Sequence, residues 1–443
     1  MITLAKKIMP LSLIIALRFF GLFIVLSVLS QYALGLKYSN ATLAGIAVGG
    51  YAVTQAFLQT PFGLLSDKIG RKKTILIGLF IFILGSITCA VSTDIYTLLF
   101  GRFLQGAGAI GSVITAMIAD LSKEDERAHA MAIMGMVIAM TFAVAMIAGP
   151  LMAGYLGVPS LFWLTAGLAA TALLILFTKV PEPPKIVHTY EEETVKIKHV
   201  FHDKDLVRMY ITFLFHSSTM TMAFFIIPIL LKHKFAIEPT GFWKVYLPAV
   251  IFGILAMGPA AIFGEKYSKG KEIFVLSVLF IVASFALMGF TNSFLLFGVG
   301  ATFFFIGFNM FEPLLQSFVA KFAKVHQKGT ALGVANTFSY IGIFLGGAFG
   351  GFVYGHFKEQ GLAVFVFIIS AFWIWWITGM RNPGLRQTVY IELNDNTRDK
   401  LHEIKKVEGI TDQYINETEC IIVIKYDAQH INEEEIKDFF KSL

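Results

Sequence analysis

Four ionisable side chains stand inside long apolar runs: Arg18, Arg102, His216 and Glu312. A charge at the centre of a spanning helix costs at least about 2.5 kcal/mol and by default marks a functional position. Glu312 is the one carboxylate set well inside such a run, on a helical face shared with Asn309 and Gln316. Pro313 beside it predicts a kink, because proline removes a backbone donor and clashes with the carbonyl of Asn309. A carboxyl there can take up and release a proton; otherwise it is a neutral Glu that ties helices together. Arg102 is followed by Gln105, Ala109 and Ser112 at i+3, i+7 and i+10, which predicts a polar stripe facing the interior. It reads either as a working cation or as a structural tie. His216 shares a face with Thr212 and Thr219, and is equally readable as a relay partner or as a packing residue. Arg18 lies a few residues into its run, and either functions there or snorkels to the membrane edge. Phe303, Phe304, Phe305 and Phe308, with Tyr51, Gln55 and Gln59, are candidates for a greasy cavity with polar contacts.

A second group of residues forms a pattern in a polar loop. Residues 61–73 read PFGLLSDKIGRKK, which places Gly63, Asp67, Gly70 and Arg71 at fixed spacing before Lys72 and Lys73. Carboxylates suit helix N-termini and cations suit C-termini, so Asp67 and Arg71 each expect a partner at a helix end. Asp120 is the expected partner of Arg71. The alternative is an ordinary basic loop that only sets orientation. Gly149, Pro150 and Gly154 form a small-residue segment, and Gly346, Gly347, Gly350 and Gly351 form another. Small residues let membrane helices approach closely, so helices 5 and 11 are expected to pack tightly.

The elements that hold these residues are membrane spans. The 443 residues are 56% apolar and 15% charged, whereas soluble domains average about 25% charged. A span needs about 20 mostly apolar residues. Twelve such runs are expected near 10–33, 42–65, 74–93, 95–120, 129–153, 158–178, 207–231, 242–264, 273–291, 294–320, 330–354 and 361–380. The lipid bilayer is therefore a partner, and the net charge of +6 reports topology rather than nucleic-acid binding. Lys and Arg crowd one set of loops, which the positive-inside rule assigns to the cytoplasm together with both termini. Cys89 and Cys420 offer neither a disulfide framework nor a metal-ligand spacing, so no metal is expected.

The domain plan follows from texture. Residues 1–178 form one six-helix bundle, 179–206 a Pro- and Glu-containing linker, and 207–380 a second bundle. Residues 388–443 change character: alternating apolar residues from Val389, a charged helix over 394–408, strands at 410–416 and 420–426, and a final amphipathic helix. The order β-α-β-β-α predicts a small ferredoxin-like α+β domain with an unidentified ligand or partner. The bundles repeat one another. Residues 259–271 read PAAIFGEKYSKGK, 198 positions after the first loop, so Asp67 falls on Glu265. Residues 98–101 recur at 295–298, and 149–154 at 346–351, both at a shift of 197. Related halves with a site between them are a common transporter plan.

These motifs resemble those of the major facilitator superfamily. Residues 63–73 resemble its loop signature between helices 2 and 3. Residues 98–109, LLFGRFLQGAGA, resemble its helix 4 motif with Arg102 at the basic position. Residues 149–154 resemble its antiporter-associated helix 5 signature, with Ala153 in place of one Gly. The whole chain is similar to efflux transporters of that superfamily that carry a ferredoxin-like tail after helix 12. The resemblance implies an all-α membrane fold of twelve helices in two six-helix pseudo-repeats, plus the α+β tail. It implies a monomeric secondary transporter of the bacterial inner membrane, not an enzyme. Such a transporter would expel a small hydrophobic or amphipathic molecule in exchange for protons, with no cofactor beyond the proton. Glu312, His216, Arg102, Arg18, Asn309, Gln105, Tyr51 and Gln55 would serve proton and substrate. Gly63, Asp67, Gly70, Arg71 and Asp120 would latch the outward-open state. The alternatives are a proton-coupled metabolite importer, or a transporter-like sensor signalling through its tail.

Overall fold

The computed structural model describes residues 2–122, 127–181, 200–323, 327–382, 386–393, 404, 407–416, 421–428 and 430–441. Most of the expected linker and most of the expected helix 394–408 lie outside these residues. Eleven stretches among them are long and apolar enough to cross a bilayer. Span 1 is Ile8–Leu26, span 2 Ala41–Ile69, span 3 Arg71–Ala90, span 4 Ile95–Leu121, span 5 His129–Leu156 and span 6 Val158–Thr178. Span 7 is Lys204–His233, span 8 Pro239–Lys266, span 9 Gly270–Phe290 and span 10 Phe294–Phe322. The eleventh stretch, Lys328–Thr378, has 51 residues. As one helix it would run about 76 Å, more than twice the thickness of a bilayer core. It breaks at Lys358 (φ 56°, ψ −161°), so its two limbs are spans 11 and 12.

Local chemistry sets the helix starts. Asn40 accepts from Leu43 N (2.9 Å) at span 2, and Asp94 accepts from Tyr96 N (2.9 Å) and Thr97 N (3.0 Å) at span 4. Asp203 accepts from Asp205 N (2.8 Å) at span 7. Each satisfies backbone donors that a helix N-terminus leaves free. Two expected continuous spans are interrupted. The apolar run 10–33 ends its first helix at Leu26 and resumes as a short helix, Leu29–Leu34. Span 4 splits into Ile95–Ala107 and Gly111–Leu121, and at the break Gly108 lies against the Gly78 carbonyl of span 3.

The halves have matching internal packing. Span 1 packs on spans 5 and 6 and span 3 on spans 4 and 6; span 7 packs on span 11, span 8 on span 10, and span 9 on spans 10 and 12. The halves meet along two seams, span 2 with span 11 and span 5 with span 8. The repeat recurs in these contacts. Gly154 lies against Thr240, while Gly351 lies against Thr42. Gly154 maps to Gly351 and Thr42 to Thr240 at the same shifts of 197 and 198 found in the sequence. At the tightest point Gly45 and Gly347 face each other, and a methyl on either would run into the other's carbonyl oxygen. Both seams lie toward the end of the bundle away from the Asp67 loop. At the other end the halves diverge: Met136 and Met140 of span 5 and Gln316 of span 10 are exposed. A Cβ at Gly329 or Gly333 of span 11 would meet nothing within 4 Å. The close contacts between the halves are therefore concentrated at the end away from the basic loops.

The tail is a three-stranded antiparallel sheet, β1 (Arg386–Glu392), β2 (Ile410–Asn416) and β3 (Ile421–Asp427), in the order β1-β3-β2, followed by a helix, Glu433–Lys441. Ile422, Ile424 and Tyr426 of β3 pack with Val389, Ile404 and Ile436. Val423 and Lys425, on the opposite face, are buried as well. The sequence pattern predicts strands with one buried face, yet this central strand is covered on both. Lys425 Nζ explains why: it donates to the carbonyls of Ala323 (2.6 Å) and Ala320 (3.3 Å) at the C-terminus of span 10. A cation there meets the free carbonyls and the negative end of the helix dipole.

Candidate functional site

The Asp67 loop folds into a compact corner at the basic-loop end. Gly70, at φ +97°, makes the break between spans 2 and 3 in a backbone region that side chains disfavour. Arg71 then points back. Its Nη1 donates to Asp67 Oδ1 (2.6 Å) and Ser66 Oγ (2.5 Å), and its Nε donates to Asp120 Oδ2 (3.0 Å) on span 4. Ser66 Oγ donates onward to the Gly63 carbonyl (2.6 Å). The expected Arg71–Asp120 pair is present, and Arg71 ties three spans together. Asp67 is 60% exposed and Arg71 and Asp120 about a fifth exposed, so each pair contributes no more than about 1 kcal/mol. The equivalent corner of the second half is built differently. Glu265, in a π-helical turn ending span 8, accepts from Ser317 Oγ and Lys321 Nζ on span 10. There the acid crosses directly to the neighbouring span, without an arginine between.

The two buried arginines have contrasting surroundings. Arg102 has all three nitrogens engaged. Its Nε donates to Ala47 O (2.9 Å), Nη2 to Val48 O (3.1 Å) and Nη1 to Gln105 Oε1 (2.7 Å). Gln105 Nε2 donates to Ser86 Oγ (2.9 Å), and the Arg102 guanidinium lies 4.8 Å from the centre of the Tyr51 ring. The network joins spans 2, 3 and 4. The expected continuous stripe from Arg102 to Ser112 does not form. Ala109 lies in the break of span 4, and Ser112 Oγ turns to the Gln59 carbonyl (3.1 Å).

Arg18 does not snorkel. It sits midway along the apolar stretch Ile8–Leu26. It is fully buried. Its Nη2 donates to Gln55 Oε1 (3.2 Å), and Gln55 Nε2 donates to the Tyr340 hydroxyl (2.8 Å) on span 11. This chain crosses from one half to the other. Nε and Nη1 of Arg18 have no hydrogen-bond partner among the described residues. Its guanidinium stands 5.3 Å from the Phe82 ring and 5.8 Å from the Phe19 ring.

Glu312 is on span 10, exposed, two helical turns from Phe305 on the same face. Phe305 meets Phe142 of the first half (6.5 Å between rings), so this face looks into the space between the halves. Asn309, between them, donates Nδ2 to the Phe305 carbonyl (2.8 Å) and lies against Gly253 of span 8. His216 is not brought to Glu312. Its Nε2 donates to the Phe308 carbonyl (3.2 Å), and its ring stacks on Phe308 at 4.4 Å. Thr219 bonds to its own helix, and Thr212 also accepts from Trp373 Nε1 (3.4 Å). Gly149 lies against the Ile24 carbonyl of span 1, and Gly154 against Thr240 across the halves, with Pro150 inside the span 5 helix. Spans 5 and 11 thus both pack tightly, on different partners.

Two contacts were not expected from sequence. One is the Lys425 docking; its signal is a lysine inside the apolar strand 421–427. The other is Asp205, nearly fully buried at the start of span 7. It accepts from Arg381 Nε (2.5 Å), Arg381 N (3.2 Å) and Arg208 Nη1 (3.3 Å), joining span 7 to the end of span 12.

Comparison with known proteins agrees with this architecture. The sequence profile of the Major Facilitator Superfamily matches residues 11–347 and 251–392. The chain is 35% identical to the inner membrane transport protein YajR of Escherichia coli K12, over 96% of this chain and 95% of that one. It is 26% identical to multidrug resistance protein 2 of Bacillus subtilis 168, over 77% and 86%. A crystal structure of a bacterial homologue of the human lysosomal transporter Spinster, inward-facing and occupied, superposes with TM-score 0.68 at 15% identity, covering 84% of this chain and 96% of that one. With two glycine-seamed six-span halves and a profile match across most of the bundle, this chain belongs to the Major Facilitator Superfamily of transporters.

Proposed function

We propose that this chain is a proton-coupled exporter of a small hydrophobic or amphipathic molecule, working by alternating access of a site between its halves. The observation that carries the reading is Glu312, a carboxylate at membrane depth on a face open to the cleft, beside Pro313. Such a group is the natural carrier for a proton that must be loaded from one side and released to the other. The cleft would open at the lysine- and arginine-rich end, which the positive-inside rule assigns to the cytoplasm. The substrate would enter from there, and both termini would lie on that side. Relatives named for multidrug resistance and for inner-membrane transport support export from a bacterial inner membrane. The Arg71 corner holds spans 2, 3 and 4 as one rigid unit, so that closing the cleft brings it as a block toward the second half. The strand order β1-β3-β2 supports a ferredoxin-like reading of the tail.

The test is transport by the purified protein in proteoliposomes with an imposed pH gradient and a panel of amphipathic dyes. At least one dye should move against its own gradient while the pH gradient lasts and stop when a protonophore collapses it. Movement indifferent to the gradient for every dye that crosses would reject proton coupling.

A further inference from the structure

We propose that Arg18 anchors an anionic group on the transported molecule, so that the site takes amphipathic organic anions: a carboxylate, sulfonate or phosphate head on an apolar body. The proposal rests on the transport reading above and names its substrate class. Arg18 is fully buried midway along span 1, and no Asp or Glu contacts it among the described residues. Two of its three donor nitrogens, Nε and Nη1, have no partner there. Each can donate a charge-assisted hydrogen bond to an oxygen of a carboxylate or phosphate. Arg102 is the internal control. It is equally buried on the same bundle, yet Ala47, Val48 and Gln105 occupy its three nitrogens. Burial in this fold therefore does not by itself leave an arginine short of acceptors.

The surroundings suit an apolar body. Phe19 and Phe82 flank the Arg18 guanidinium, and they share one apolar cluster with Leu22 of the first half and Met220 and Ile343 of the second. Gln55, the one side chain that does accept from Arg18, is held from the far side by Tyr340. Rocking the halves apart at span 11 would break the Gln55–Tyr340 bond and open the arginine to a ligand. A neutral or cationic substrate would leave the cation uncompensated in either state. Expelling an anion while admitting a proton also moves charge in the same direction twice, so an inside-negative membrane drives both movements.

The experiment uses the full chain in lipid nanodiscs and two fluorescent probes of one scaffold, dansylglycine (carboxylate) and dansylcadaverine (cation). Octanoate and sodium chloride serve as competitors. Dansylglycine should bind the wild type at least about tenfold more tightly than it binds Arg18→Gln, with Arg18→Lys between them. Octanoate should displace it, and dansylcadaverine should not distinguish the variants. Size-exclusion profile and thermal unfolding report whether each variant is folded; if Arg18→Gln is not, Arg18→Lys carries the comparison, and equal binding to it and the wild type overturns the proposal. Equal binding of dansylglycine to wild type and Arg18→Gln also overturns it, as does a wild type that binds neither dansylglycine nor octanoate. Stabilisation by chloride alone, lost in Arg18→Gln, makes this an inorganic-anion site and overturns the substrate assignment. Anion binding through Arg18 without transport in proteoliposomes would leave the site standing and remove the transport reading instead.

Discussion

The Arg71 corner and the Arg102 network of the first half join polar groups to one another, whereas span 10 of the second half leaves Glu312 open. In the first, Arg71 bridges Asp67 and Asp120, and Arg102 is closed off by two carbonyls and Gln105. In the second, Glu265 reaches span 10 directly, Val299 stands where Arg102 would recur, and Glu312 faces the cleft. At the 197-residue shift Glu312 corresponds to Thr115, whose hydroxyl merely bonds the Gly111 carbonyl of its own helix (3.0 Å). One scaffold has thus been used once as a rigid block and once as the carrier of a chargeable group. The difference separates ties from working groups: a buried polar group with all its partners holds helices together, and one without them is available to a ligand or proton.

The arginine pair gives the largest expected effect. Arg102→Gln removes the charge-assisted bonds to the Ala47 and Val48 carbonyls and the donor to Gln105 Oε1, and should cost about 3 kcal/mol, read as a lower unfolding temperature in detergent. Arg18→Gln removes an under-partnered buried charge and should change stability by less than about 1 kcal/mol, in either direction. If the two variants unfold alike, the distinction between tie and working group fails. Next is the seam. Gly347→Val cannot fit against the Gly45 carbonyl without parting spans 2 and 11. Transport should fall by about tenfold, equivalent to 1.4 kcal/mol on the closed seam. Wild-type rates would mean that the seam is not part of the cycle.

The two corners come third. Asp67→Asn should slow transport by about threefold, as suits a partly exposed ion pair, with normal membrane insertion. Glu265→Gln, which keeps the span 8 to span 10 hydrogen bond to Ser317, should do less. A larger effect at Glu265 would reverse the proposed roles. The smallest effect is expected at the tail. Lys425→Ala should leave turnover unchanged while β3 amides exchange with deuterium faster, by a factor of about ten if the helix-end contact contributes 1–2 kcal/mol. Unchanged exchange would show that the docking contributes nothing to the tail's stability.

Much of the architecture was legible because the bilayer imposes it. Span length and apolarity follow from hydrocarbon thickness, and the repeat shows in glycines that side chains cannot replace at the seams. The Arg71–Asp120 pair was also legible, since each residue sits at a helix end and needs a partner. Helix interruptions were not. At Gly108 no local signal separates the break from the glycines that stay helical. The burial of Arg18 was not legible either, since its partner Gln55 lies 37 residues away. The Lys425 docking depends on where the tail settles on span 10, a tertiary fact that strand alternation does not encode.

Whether Glu312 carries the coupling proton is tested most directly by comparing the wild type with Glu312→Gln in proteoliposomes, in two modes on the same preparation. One mode is accumulation driven by a pH gradient; the other is exchange of labelled for unlabelled substrate with no gradient. Glu312→Gln should lose gradient-driven accumulation while still exchanging, because the neutral side chain keeps the site but cannot load a proton. Gradient-driven accumulation by Glu312→Gln at the wild-type rate would contradict the assignment.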